Sequence, residues 1–286
     1  MTRPIAARVL LSSNPRPDPW FGIRYTMNLY RGCQHQCVYC DSRSECYGID
    51  DFADVQVKTN ALELLERELR RKRTRGTVGT GSMNDPYMPL EGEIGLTGRA
   101  LEILARHEFP VHVITKSTLV LRDLEVLRRI SRVYAAVSLT VTTPDDELSR
   151  RLEPGAPVSS ARLRTVAELS AQGILTGVLI MPVLPWIEDR EEDVLRLVDQ
   201  AHAAGARYVM ASFGVTLRDR QRAHYYGCLD ELFPGLRQEY QRRYGDQYGC
   251  PSPAADRLEM LFRERCAAHG ISIRMPFYQG EQLPLL

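Results

Sequence analysis

Residues 25–47 of the chain read YTMNLYRGCQHQCVYCDSRSECY, with cysteines at positions 33, 37 and 40. This C-x3-C-x2-C spacing puts three thiols in one short loop. Such a loop is too tight for ordinary disulfide pairing, but it lets all three sulfur atoms point at one centre. Cysteine thiolates are the usual ligands of iron–sulfur clusters. The stretch therefore predicts a 4Fe–4S cluster held by Cys33, Cys37 and Cys40, with one iron left open for chemistry.

Two other interpretations of the three cysteines are open. A zinc site normally needs four ligands, commonly as two separated pairs, and the sequence has no second C-x2-C pair. His35 lies inside the same short loop, where a fourth bond to zinc would be strained. Free buried cysteines are ordinary core residues elsewhere, but the flanking Gly32, Gln34 and Gln36 do not suit a plain core segment.

The overall charge of the chain is nearly balanced, with 37 Lys and Arg residues against 36 Asp and Glu residues. No overall field attracts nucleic acid or an acidic membrane, so any polyanion site must be a local patch. The N-terminus lacks the apolar core of a signal peptide, and no segment approaches about 18 continuous apolar residues. Seven cysteines, an odd number, suit metal ligation in a reducing compartment. We therefore expect a cytoplasmic protein without a membrane partner.

Apolar strands alternate with amphipathic helices over residues 23–217, with a period of about thirty residues. The pattern predicts six strands, at 23–30, 77–81, 111–115, 133–141, 175–181 and 207–211, and five helices, at 60–72, 97–107, 123–130, 160–172 and 189–204. Six strands fall short of the eight of a closed barrel. The chain is therefore predicted to be an α/β protein with an open barrel or a doubly wound sheet.

The two ends of the chain depart from this alternation. Prolines at positions 4, 15, 17 and 19 predict an extended N-terminal arm over residues 1–22, because proline removes an amide donor and restrains its neighbour. The pattern of residues 218–286 predicts helices at 223–231, 236–244 and 255–269 and a short strand at 271–275. We interpret this part as a mainly helical C-terminal extension packed on the barrel.

The cysteine motif, with aromatic Tyr39 directly before its third cysteine, resembles the signature of the radical S-adenosylmethionine (SAM) superfamily. Four segments together resemble the spore photolyase-like proteins of that superfamily. These segments are NLYRGCQHQCVYCDSRSECY at 28–47, TGSMNDPYMPLE at 80–91, ITKS at 114–117 and SFGVTLRDRQR at 212–222. Of the two architectures above, the resemblance implies a partial (β/α)6 TIM-like barrel.

The resemblance also implies an activity. Radical SAM enzymes use a 4Fe–4S cluster to cleave SAM reductively to a 5′-deoxyadenosyl radical, which abstracts hydrogen from a substrate. The substrate is unidentified, with nucleic acid as one candidate, because spore photolyase is a lyase that repairs DNA. A reductant such as flavodoxin or ferredoxin would be the partner. The alternative function is a non-catalytic iron–sulfur or zinc protein that binds or senses.

Several residues near the ends of the predicted strands are implied as contacts of SAM. Asn84 and Asp85 stand where the superfamily binds the methionine amino group. Lys116 closes a buried strand, where a lysine needs a counter-charge such as the carboxylate of SAM. The full set of expected cofactor contacts is Tyr39, Asn84, Asp85, Lys116, Ser138, Thr140 and Met181.

The source of a returned hydrogen atom differs from that of spore photolyase. That family uses a cysteine after the second strand and a tyrosine beside the last cluster cysteine. Here residues 82–84 read SMN and position 41 is aspartate, so Cys46 is the candidate hydrogen donor, with Cys228, Cys250 and Cys266 as alternatives.

Three arginines, Arg218, Arg220 and Arg222, follow the sixth predicted strand. Guanidinium groups at the mouth of the barrel suit phosphate or carboxylate groups. The alternative is a solvated loop with Asp219 as the internal partner. This run is the candidate contact for nucleic acid.

Overall fold

The computed structural model describes residues 3–280, and a seven-stranded sheet forms its centre. The strands are β1 (Arg3–Ile5), β2 (Leu11–Ser13), β3 (Ile23–Met27), β4 (Tyr30–Arg31), β5 (Gln56–Lys58), β6 (Thr77–Thr80), β7 (Val111–Thr115), β8 (Ala135–Thr140), β9 (Leu175–Ile180), β10 (Tyr208–Ala211), β11 (Gly214–Thr216) and β12 (Gly249–Pro251). The main sheet has the order β10-β9-β8-β7-β6-β3-β2.

Six strands of the main sheet, β3 and β6 to β10, run parallel, and β2 pairs antiparallel with β3 at one edge. The structure therefore confirms the predicted partial (β/α)6 barrel. All six residues of β8 are buried, as expected of a parallel strand that is covered on both faces. Val137 and Leu139 of β8 pack in the main core, whereas Ala136 packs with Tyr208 and Met210 in a separate cluster.

Helices cover the sheet and extend the C-terminal part. They are α1 (Ala61–Arg70), α2 (Pro89–Ile94), α3 (Leu96–Arg106), α4 (Leu124–Ile130), α5 (Asp146–Leu152), α6 (Ser159–Ala171), α7 (Glu191–Ala203), α8 (Asp219–Leu232), α9 (Leu236–Tyr244) and α10 (Ala255–Ala268). The sequence pattern missed α2 and α5, which are too short to show a full amphipathic period. Among residues 3–280, no helix has the length and apolar character needed to cross a membrane.

The N-terminal residues form strand pairs as well as an extended segment. β2 pairs with β3, while β1 lies parallel to β5 and β4 lies antiparallel to β5 in a small separate sheet. Strand pairing over residues 3–5 and 11–13 is compatible with the prolines, which are tolerated at sheet edges. Residues 1–2 of the predicted arm lie outside the described residues.

The three predicted C-terminal helices are present as α8, α9 and α10. The predicted strand at 271–275 is wrong, because only one parallel bridge, between Ser272 and Tyr208, forms there. Pro276 follows directly and cannot donate to a ladder. β11 and β12 pair antiparallel across the predicted boundary at residue 217, and β2 and β3 pair across the boundary at residue 22. The division into arm, barrel and extension stays a prediction, and residues 281–286 lie outside the described part.

Candidate active site

A cavity of about 280 Å³ opens where the parallel strands end. Its wall is built from the cysteine loop, from the segments that follow β6, β7 and β9, and from the ends of β8 and β11. Cys33, Cys37 and Cys40 all line it. The carboxyl ends of strands are where α/β barrels carry their reactive side chains, so this cavity is the candidate active site.

Two glycines let the cysteine loop pack closely against its neighbours. Gly32 has a φ of 84°, and a Cβ atom there would lie 2.8 Å from the Phe52 carbonyl oxygen. Gly155 donates its N–H to the His35 carbonyl oxygen at 3.0 Å, and a Cβ atom at Gly155 would lie 2.0 Å from the Gln34 carbonyl oxygen. The loop is therefore fixed by backbone contacts on both of its sides.

The three thiols are in an environment that disfavours free thiolates. Burial raises the pKa of Cys33 to about 12 and also raises the pKa of Cys37 and that of Cys40. The Lys116 ammonium acts in the opposite direction on the pKa of Cys37 and that of Cys40. Metal ligation requires deprotonated thiols. The protein alone does not stabilise the three thiolates. A positively charged group bound between the three sulfur atoms would do so.

The arrangement of ligands fits a cluster better than a single metal ion. Among residues 3–280, no three His, Cys, Asp or Glu side chains converge on one ion. A structural zinc site requires such convergence, because its ligands surround a single atom. A 4Fe–4S cluster does not require it, because each thiolate binds a different iron. The three cysteines therefore fit the ligand set of a cluster.

Asp85 joins the cysteine loop to the end of β7. Its Oδ1 accepts hydrogen bonds from Thr115 Oγ1 at 2.6 Å and from the Tyr87 N–H at 2.8 Å. Its Oδ2 accepts from the Lys116 N–H at 2.7 Å and lies 3.3 Å from His35 Nδ1. Burial opposes ionisation of this carboxyl, but His35 and the hydrogen bonds from Thr115 and Lys116 lower its pKa to about 2. Asp85 is therefore an anion that holds the loop in place.

His35 is a buried polar residue of the cysteine loop. Its side chain lines the cavity and is almost completely buried. Neither ring nitrogen makes a hydrogen bond with good geometry to any described residue. The Nε2 atom thus has no hydrogen-bond partner among the described residues.

Lys116 lies in a buried charge network that the protein itself supplies. Its Nζ lies 3.8 Å from Glu153 Oε1 and 5.6 Å from the centre of the Tyr39 ring. The Tyr39 hydroxyl donates to Glu153, and Arg162 Nη2 lies 2.5 Å from Glu153 Oε2. Burial opposes all these charges, yet the cations lower the pKa of Glu153, while the pKa of Lys116 is raised by Cys37 and Glu153. Two cations and one carboxylate are therefore held charged at the cavity wall and next to it.

Comparison with known proteins identifies the family to which this chain belongs. The sequence profile of the radical SAM superfamily matches residues 27–198, more than half of the 286 residues. The chain belongs to the radical SAM superfamily. The prediction of a radical SAM enzyme is confirmed, and the family implies a 4Fe–4S cluster and SAM.

Individual proteins are also similar to this chain. An uncharacterised protein of Mycobacterium tuberculosis is 37% identical over 252 residues, which cover 85% of this chain and 73% of that protein. A radical SAM Nalpha-GlyT isomerase of Pseudomonas phage M6 is 27% identical over 199 residues, which cover 69% of this chain and 41% of the isomerase. A solved structure of spore photoproduct lyase complexed with dinucleoside spore photoproduct has a TM-score of 0.70 at 15% identity, covering 93% of this chain and 78% of the lyase. That last likeness shows the fold.

Most of the residues expected to contact SAM in this radical SAM chain line the cavity. Asn84 reaches it, although its Nδ2 donates to the Tyr30 carbonyl oxygen at 2.6 Å. Lys116 reaches it beside Glu153, so the counter-charge expected from SAM is already partly present in the protein. The expected contacts that line the cavity are Tyr39, Asn84, Asp85, Lys116, Thr140 and Met181.

Ser138, also expected to contact SAM, does not line the cavity. Ser138 is fully buried, and its hydroxyl bonds to His112 Nε2 at 2.8 Å and to the Tyr208 hydroxyl at 2.7 Å. It is not part of the cavity wall, which β8 enters only at Thr140. The alternation of side chains along a strand placed Ser138 on the same face as Thr140, but it did not show how far along β8 the cavity reaches.

The position of Cys46 does not support its role as a hydrogen donor. Cys46 lies in a short 3-10 helix, Glu45–Tyr47, where it is exposed and accepts a hydrogen bond from Ser44 Oγ at 3.3 Å. It is not among the residues that line the cavity. The cysteines of the described cavity wall are the three of the motif.

The three arginines after the sixth predicted strand are engaged inside the protein. Arg218 binds Asp41 through Nε at 3.1 Å and Nη2 at 2.5 Å. Arg220 donates to the carbonyl oxygens of residues 43 and 49, and Arg222 donates to those of residues 217, 245 and 247. The arginines therefore tie α8 to the cysteine loop and to the chain before β12. This corrects the expectation of a free phosphate clamp.

Sequence reasoning missed three residues of the site. The sequence offers His35 only as a zinc ligand, and no sequence pattern points to Glu153 or Arg162. Glu153 ends the short helix α5, and Arg162 lies inside α6. A buried Glu–Arg pair has no local sequence pattern, because its members meet only through the tertiary fold.

Proposed function

We propose that this radical SAM enzyme holds its cluster on Cys33, Cys37 and Cys40 and its SAM against Lys116, and that it acts on a nucleic-acid base. When bound and reduced, the cluster with SAM supplies a 5′-deoxyadenosyl radical that abstracts hydrogen from the substrate. The observation that carries the proposal is the convergence of three cysteines, two of them buried, and one half-buried lysine on one cavity.

The side chains of the cavity have distinct roles in this proposal. Lys116 presents a positive charge to the carboxylate of SAM, and Glu153 with Tyr39 keeps its ammonium in place. Asp85 accepts a hydrogen bond from the Lys116 N–H at the end of β7. It also contacts His35 of the cysteine loop, so it holds the two segments together. Thr140 and Met181 close the wall. These residues bind and orient the cofactor and limit the access of water.

The nucleic-acid substrate is supported by two relatives. The phage protein is named as a Nalpha-GlyT isomerase, and the spore photoproduct lyase structure contains a dinucleoside photoproduct. The described cavity wall offers no cysteine besides the three of the motif. Hydrogen return from a wall cysteine is therefore not part of the proposal.

The test of the radical reaction is anaerobic reconstitution with iron and sulfide, followed by dithionite and SAM. We expect the wild-type protein to form 5′-deoxyadenosine and the Cys40→Ala variant to form none. A cluster that forms but does not bind SAM, as judged by its electron paramagnetic resonance spectrum, would favour the non-catalytic sensor. A flavodoxin or ferredoxin that replaces dithionite would support the proposed type of reductant.

A further inference from the structure

The size of the cavity limits what can bind inside it. Its volume of about 280 Å³ lies near the lower end of the range of about 300–1,000 Å³ for pockets that hold small ligands. SAM and a cluster together would leave little of this space for a substrate. The substrate of the proposed reaction must therefore make most of its contacts outside, at the mouth.

Arg218 forms a platform at this mouth together with the rings of Tyr47 and Tyr248. Its guanidinium makes two bonds to Asp41, which lines the cavity and directly follows the last cysteine of the motif. The guanidinium carbon lies over the Tyr47 ring at 5.6 Å from its centre and over the Tyr248 ring at 5.5 Å. The Tyr47 hydroxyl also donates to Asp41 at 3.1 Å. The bidentate ion pair and the stacking restrict the motion of the arginine.

Tyr248 is the exposed member of this platform. The residue is 52% exposed. Its carbonyl oxygen accepts a hydrogen bond from the Leu217 N–H at 2.8 Å, and Leu217 directly follows Val215 and Thr216, both of which line the cavity. The ring is thus anchored beside the cavity wall while much of its surface faces solvent.

We propose that Tyr248, backed by Arg218, is a stacking surface for a base of single-stranded nucleic acid. The inference rests on the proposed function and assigns the substrate contact that the cavity itself cannot provide. Aromatic rings combined with arginine are the usual means of binding unpaired bases.

The charges near Tyr248 favour a nucleic acid over an aromatic peptide. Arg242 and Arg243 are exposed in the last turn of α9, a few residues before Tyr248. Arg242 also pairs with Glu239, but exposed cations in the stretch of chain that carries a stacking ring suit a phosphate backbone. A peptide that offers only an aromatic side chain would not require them.

The test measures the binding of a fluorescein-labelled 12-nucleotide oligothymidylate by anisotropy, using the protein with its cluster reconstituted under anaerobic conditions. We expect Tyr248→Ala to weaken binding about fivefold or more, while Tyr248→Phe, which keeps the ring, stays near the wild type. The matched control is Trp20→Ala, because Trp20 is 50% exposed and lies outside the described wall of the active-site cavity. It should bind as the wild type does.

Several outcomes would overturn this inference. They are wild-type affinity in Tyr248→Ala, an equal loss in Trp20→Ala, no binding of the oligonucleotide to the wild type, or Tyr248-dependent binding of a tryptophan-containing peptide instead. The formation of 5′-deoxyadenosine is measured separately in the same samples. Its absence together with Tyr248-dependent binding would refute only the radical reaction, and its presence without such binding would refute only the stacking surface.

Discussion

His35 Nδ1 lies 3.3 Å from Asp85 Oδ2, although the two residues are fifty positions apart in the chain. The first belongs to the loop between Cys33 and Cys37, and the second follows β6 and is bonded to the end of β7. This pair joins the cysteine loop to the barrel at the point where the parallel strands end. The position of the cysteines is thus coupled to the structure that surrounds the cofactor pocket.

The first prediction concerns this pair. Replacing His35 with alanine removes the buried partner of Asp85 and should make the reconstituted protein lose iron to a chelator about tenfold faster, as is typical for residues that support metal ligands. The measurement is the rate of iron release under anaerobic conditions. His202→Ala, on the surface of α7, is the control and should release iron at the wild-type rate. Equal rates in all three proteins would exclude a supporting role for His35.

Lys116 provides the second prediction. Lys116→Ala should weaken the binding of SAM about tenfold, because it removes one charge-assisted contact, and should leave the iron content unchanged. SAM affinity is measured by titration of the reconstituted protein, with Lys72→Ala as the control, since Lys72 is distant from the cavity wall. Wild-type affinity in Lys116→Ala would remove this residue from the cofactor site.

Gly155 gives a prediction about packing. A Cβ atom at Gly155 would lie 2.0 Å from the backbone oxygen of Gln34, so Gly155→Ala should displace the cysteine loop and lower the iron content after reconstitution. Gly227 lies inside α8 with open space around it, so Gly227→Ala should raise the free energy of unfolding by about 0.5–1 kcal/mol. Iron content and thermal unfolding are measured for both. Normal iron content in Gly155→Ala would contradict the proposed tight packing.

Glu188 predicts a dependence of stability on pH. Burial, with a further contribution from Glu153, raises the pKa of Glu188 from 4.5 to about 8. The folded state therefore keeps a proton that the unfolded state loses, so the contribution of Glu188 to stability is fully present below pH 4.5 and is lost as the pH rises through 8. Each unit of the pKa difference corresponds to about 1.4 kcal/mol.

Glu188→Gln should remove this contribution and be more stable than the wild type at pH 8. An amide oxygen can still accept the bond from the Leu184 N–H, which is 3.1 Å from Glu188 Oε2. The measurement is the melting temperature of both proteins from pH 5 to 9. Parallel curves would show that Glu188 does not titrate in this range.

Local patterns predicted the parts of the molecule that depend on neighbours in sequence. The spacing of Cys33, Cys37 and Cys40 is a local feature, and so is the position of Lys116 at a strand end. All four side chains reach the cavity. The charge network could not be predicted in this way, because Tyr39 and Glu153 are 114 residues apart. The same holds for the pair of Asp41 and Arg218, which are 177 residues apart and convert an expected phosphate contact into an internal ion pair.

The two ends of the main sheet have a consequence for assembly. β2 covers the free edge of β3 and is only three residues long, with Pro15 shortly after it. At the opposite end, the bridge between Ser272 and Tyr208 occupies part of the edge of β10. An unpaired parallel edge would recruit strands from other molecules. An incomplete barrel of this kind can thus stay open towards the proposed substrate. Its two sheet edges expose few unpaired N–H and C=O groups with which other molecules could aggregate.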